Sequence, residues 1–107
     1  MAMIVTGAFD IPGATIEEAL GTVFGVVVRS QGLGGNIMAQ LRSLGGGEIH
    51  EYTRLLEDTR RQAIDRMLEN AKAMNADAVI AMRFDSSEIG NTMTEVVAYG
   101  TAVRLRK

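Results

Sequence analysis

The chain has 107 residues, of which 47% are hydrophobic and 22% charged, enough for one hydrophobic core and too apolar for a disordered or low-complexity chain. Lys and Arg number 11 against 13 Asp and Glu, giving a formal net charge of -2, the wrong sign for gripping a phosphate backbone, so nucleic acid is not expected as a partner. The cysteine count is 0, which excludes disulfides, thiolate metal sites and thiol nucleophiles and fits a reducing compartment.

The first residues, Met1 to Gly7, carry no basic region and reach a glycine before a signal-peptide apolar core could form. The longest apolar stretch, Val23 to Val28, falls far short of the roughly 20 residues that span a bilayer. A single cytoplasmic domain over 1–107, with no membrane partner, is the expectation.

In chain order, Ile11-Pro12-Gly13-Ala14 has the Pro-Gly pair of a type II turn, where φ is first preset and then must become positive. Thr15 to Leu20 is ambiguous: Thr15 and Glu18 have capping-box spacing, but a Val-rich run follows. Val23 to Arg29 reads as strand, and Gly21 and Gly25 within the run suggest a bend or a close backbone approach. Gln31 to Asn36 is a loop. Ile37, Met38, Leu41 and Leu44 then fall at helical spacing, with Asn36 as N-cap and Gly45 to Gly47 as the stop.

From Glu48 to Asn75 neither glycine nor proline occurs. Ile49, Tyr52, Leu56, Ala63, Met67, Ala71 and Met74 recur at three- and four-residue steps, the stripe of a long amphipathic helix. Arg54/Asp58, Glu57/Arg61 and Arg61/Asp65 have the i,i+4 spacing of ion pairs worth about 0.2–0.5 kcal/mol each. Asn75 suits the left-handed residue that ends a helix. Ala78 to Phe84 reads as a strand, Asp85 to Asn91 as a small acidic loop, and Met93 to Leu105 as a last strand bent at Gly100. The last two strands would form an antiparallel hairpin. The expected fold is therefore α/β in the broad sense, of the α+β type: an antiparallel-rich sheet packed with one long and one short helix.

Both faces of the last strand are apolar, with Val97, Tyr99 and Val103 on one and Val96, Ala98 and Ala102 on the other. One helical layer covers one face, so the other needs a second copy of the chain or cover from the N-terminal strands or short helix. Self-association is the expectation taken forward.

The candidate chemistry is sparse. Gly32-Leu33-Gly34-Gly35 lacks both dinucleotide spacing and a Gly-Lys-Ser/Thr ending, so it reads as a tight loop. His50 is the only histidine, its helical neighbours at i+4 and i+7 are Arg54 and Glu57 rather than the second histidine of a helical zinc site, and nothing places a nucleophile beside it, so the chain is not expected to be an enzyme. Glu48 and Glu51 share the first turn with His50. Within one chain they complement the helix dipole; around a rotation axis, several copies of Glu48, His50 and Glu51 would assemble a divalent-metal site that no single chain holds. The alternatives are a protein-docking scaffold without metal and a store for a small molecule held between subunits.

Ile11-Pro12-Gly13, Leu20-Gly-Thr-Val-Phe-Gly25, Gly35-Asn36, Leu41-Arg42, Gly46-Gly47 with Tyr52, Arg60, Asn75-Ala-Asp-Ala-Val79 and Tyr99-Gly-Thr-Ala-Val103 together resemble the YbjQ-like family of small bacterial and archaeal proteins, over nearly the whole chain. The resemblance implies a dodecin-like subunit, a homopentamer, strand rather than helix for Thr15 to Leu20, and a family to which heavy-metal binding is attributed without a characterised role. Glu48 stands where the family commonly has a basic residue. The absence of cysteine leaves a harder oxygen and nitrogen site in place of a soft one.

Overall fold

A computed structural model describes residues 3–30, 50–90 and 93–106 of the chain. The elements are β1 (Ile4–Val5), β2 (Ile16–Ser30), α1 (His50–Ala73), β3 (Ala78–Ile89) and β4 (Met93–Leu105). They form one four-stranded sheet in the order β1-β3-β4-β2, with β1 parallel to β3 and the other neighbours antiparallel. The short helix read over 37–44, the glycine loop at 32–35 and the glycine run at 45–47 lie outside the described residues, as do the side chains of residues 50–52.

The ambiguous Thr15 to Leu20 segment is strand: β2 begins at Ile16 and pairs with β4 from Leu105 down to Met93. Its alternation settles the two faces. Val23, Gly25 and Val27 are buried, whereas Phe24, Val26 and Val28 point the other way and are 52%, 40% and 49% exposed. The bend expected from the glycines lies at Gly21, whose φ of 122° accompanies a register shift between Ala19 and Gly21. The Pro-Gly turn forms as read: Gly13 has φ 84°, and the Ala14 amide donates to the Ile11 carbonyl at 3.1 Å.

Helix α1 lies across one sheet face with Ala63, Met67 and Ala71 buried against Val23, Val27, Val79, Val96, Ala98 and Ala102. The small residues opposite the helix let the two layers approach closely, and Gly25 is the closest point: a Cβ there would run into the Ala63 carbonyl oxygen and the Met67 backbone. The helix ends as the sequence suggests. Asn75 has φ 63°, its amide donates to the Lys72 carbonyl at 3.0 Å, and the Ala76 amide reaches back to Ala71 at 3.1 Å, the paired bonds of a Schellman end.

One expectation is corrected. The Asp85 to Asn91 segment is not a loop up to Ile89: β3 continues through Asp85, Ser86, Ser87 and Glu88, each paired with a residue of β4, and Gly90 makes the turn with φ 64°. Polar side chains on an exposed hairpin arm mimicked turn chemistry, but the ladder to β4 satisfies their backbone. Gly100 of β4 sits opposite an irregularity in the neighbouring strand. On β3 the register shifts there between Ile80 and Arg83, and Ala81 has φ 54°. On the exposed side of α1, Arg61 approaches Asp58 at 3.7 Å, three residues away, a pairing beyond the i,i+4 spacings read from the sequence.

Candidate functional site

The sequence placed its candidates at the start of α1. His50 and Glu51 are the first two residues of that helix, and Glu48 lies outside the described residues, so the structure does not show whether the three side chains meet. A groove of about 400 Å³ begins one turn further on. Leu56 and Val96 supply its apolar part, and Thr53, Ser86 and Thr94 add hydroxyls. Glu57 and Arg60 complete the lining, with the Arg60 guanidinium held 5.1 Å above the centre of the Phe84 ring. The continuation of β3 through Ser86, which the sequence reading missed, builds the far wall.

A second cavity, of about 600 Å³, lies at the other end of α1, beside Asp65, Leu68, Glu69 and Lys72, with Met3 and Asp77 opposite. Asp77 already has a structural duty, because its Oδ2 accepts the Leu105 amide at 2.8 Å. Among the described residues no group of three or more His, Asp or Glu side chains could hold a metal ion. One chain's described donor set therefore does not fit a heavy metal.

The outward sheet face is the larger feature. Phe24 pairs across the ladder with Tyr99, Val26 with Val97, and Tyr99 in turn with Arg83 of β3. Arg83 donates to the Gly7 carbonyl at 2.9 Å and lies 5.7 Å from the ring centre of Phe9, itself 74% exposed. At the opposite end of this face, Ile11 closes over Ala78 and Val103, joined by Ala14, Ile16, Ile80 and Leu105 in a second small core. The N-terminal segment thus covers the Val103 end of the face, while Phe24, Val26 and Val28 remain open. Arg66 and Asn70 are a further pair absent from the sequence reading. They flank the buried stripe and donate to carbonyls of β2, Arg66 to Val26 and Asn70 to Phe24, each at 2.7 Å.

The architecture defines the class: a small α+β protein in which one helix covers one face of a four-stranded mixed sheet. The chain belongs to the YbjQ family, whose model, described as "Putative heavy-metal-binding", matches residues 3–106. A UPF0145 protein from Bradyrhizobium sp. (strain ORS 278) is 57% identical over 101 residues, covering 94% of this chain and 91% of that one. One from Saccharolobus islandicus is 54% identical over 105 residues, 98% of this chain and 92% of its own. A crystal structure of a DUF74-family protein of unknown function from Pediococcus pentosaceus superposes with a TM-score of 0.65 at 14% identity, covering 99% of this chain and 100% of that one, and supports the fold alone. No helix among the described residues is long and apolar enough to cross a membrane.

Proposed function

We propose that this protein is a self-associating, non-enzymatic binding protein of the cytoplasm, a homopentamer as the family resemblance implies, that takes a divalent metal ion or small ligand where copies meet. The observation that carries the reading is the open part of the outward sheet face. Phe24, Val26 and Val28 stand in water at 52%, 40% and 49% exposure beside Val97 and Tyr99, on the part of the face that the N-terminal segment leaves open and opposite the side that α1 covers. Exposed apolar side chains that adjoin one another on one sheet face are what an interaction surface presents in soluble proteins.

Metal binding draws on the family description and on the grouping of Glu48, His50 and Glu51 around the start of α1. One chain offers too few donors there, and symmetry multiplies them. Imidazole and carboxylate donors without thiolate suit zinc, nickel or copper. Native mass spectrometry of the purified protein tests the association. Calorimetric titration with Zn, Ni and Cu, repeated on Glu48→Ala/His50→Ala, tests the site: binding that disappears in the variant supports it, and binding that is absent or unchanged removes it.

A further inference from the structure

Among the described residues, strand β2 is the outer strand of the sheet, bonded to β4 on one side only. In an antiparallel ladder the amide and carbonyl of one residue point the same way, and alternate residues point toward the neighbour or away from it. The carbonyls of Phe24 and Val26 are taken by side chains of α1, which places these residues among those facing the free edge. Such an edge is a ready template for another strand.

The two donors are spaced for the task. Arg66 and Asn70 lie four residues apart, a rise of about 6.0 Å along a helix, and their acceptors lie two residues apart, about 6.6 Å along a strand. The later helix residue meets the earlier strand residue, so α1 runs antiparallel to β2 and the two bonds stay in step. Both side chains are exposed. They reach around the edge rather than filling the core, and they occupy acceptors that an incoming strand would need for its own amides.

We propose that Arg66 and Asn70 guard the β2 edge against strand addition, so that a second copy of this chain is received on the outward sheet face instead. The choice of partner rests on the self-association reading above. The rim of that face suits a like chain: Arg83 and Asp85 stand two residues apart on β3, opposite Tyr99 and Val97, and present a positive and a negative charge that a copy turned about a rotation axis can complement. The guard has a physical purpose in such an assembly. Face-to-face association about a rotation axis closes, whereas head-to-tail pairing of the β2 edge with the opposite edge of another copy's sheet would repeat without closing.

The experiment compares the full-length wild type with Arg66→Ala/Asn70→Ala by light scattering after size exclusion and by thioflavin T fluorescence, with circular dichroism to establish folding. The wild type is expected to give one finite species of more than one chain and no dye signal. The double variant is expected to form larger, polydisperse species with a several-fold rise in fluorescence. A folded double variant that keeps the wild-type size and stays dark overturns the guard. If the double variant does not fold, Arg66→Ala and Asn70→Ala taken singly, each leaving one bond in place, decide by the same two readouts. A wild type that runs as a single chain overturns reception of a second copy on the face and the self-association reading with it, while the difference between wild type and variant still decides the guard.

Discussion

Gly25 of β2 and Met67 of α1 meet backbone to backbone, with no room for a methyl group between them. This contact sets the distance between the helix and the sheet, because an added Cβ would strike the Ala63 carbonyl and the Met67 amide, and neither can rotate away as a side-chain tip could. Gly25→Ala therefore forces the whole helix outward or tilts it. Overpacking of this kind costs about 1–3 kcal/mol or more. Chemical denaturation should show a fall in stability of at least about 2 kcal/mol with an unchanged slope; an unchanged midpoint would mean that the layers are not held this close.

Gly100 of β4 and Ala81 of β3 lie across from each other at the register shift, with opposite expectations. A Cβ at Gly100 would lie 2.7 Å from Val79 Cγ1 and 2.9 Å from the Ile80 carbonyl oxygen, so Gly100→Ala should destabilise by about 1–3 kcal/mol. Ala81, at the register shift across from it, has φ 54° and donates its amide to the Ala8 carbonyl at 2.8 Å. A left-handed alanine costs about 1–2 kcal/mol, and glycine in its place gives back about 0.4–1 kcal/mol through the unfolded chain. Ala81→Gly is thus expected to raise the stability by up to about 1 kcal/mol, read as a higher denaturation midpoint. A lower midpoint would show that the bulge is not strained.

Asn75 closes the helix with φ 63°. Asparagine tolerates that region and glycine occupies it freely, but a branched side chain does not. Asn75→Gly should be neutral or slightly stabilising, and Asn75→Val should cost about 1–2 kcal/mol, both read from thermal unfolding. Equal effects from the two substitutions would sink the assignment.

The fold was legible wherever a local rule has one physical solution. The stripe Ala63, Met67, Ala71 identified the buried side of α1, Asn75 its end, and Pro12-Gly13 the turn ahead of β2, because periodicity and left-handed φ act over a few residues. The hairpin arm from Asp85 to Ile89 was not legible. Its residues are the ones turns use, and only the ladder to β4, formed by residues after it in the chain, makes them strand. Gly21, Gly25 and Gly100 were visible as glycines in strands, but that Gly21 bends the chain while Gly25 and Gly100 admit a neighbour depends on what packs above. The candidate site was less readable still. His50 and Glu51 stand out by rarity and position, whereas Arg66 and Asn70 resemble any solvated helix flank until the edge of β2 is placed beneath them.

Val26 and Val97 test the outward face. They are cross-strand partners in the register of β2 and β4, and Val26 is 40% exposed, so a charge there has water to enter in a lone chain and would be desolvated between two. Val26→Glu is expected to leave the single chain folded, with a stability change near the roughly 0.5 kcal/mol typical of surface sites, while removing the multi-chain species in native mass spectrometry. Gln62→Glu adds the same charge on the exposed side of α1 and should leave the assembly intact, which separates a local effect on the face from a general effect of net charge. If Val26→Glu and the wild type give the same distribution of masses, copies of the chain do not meet on this face.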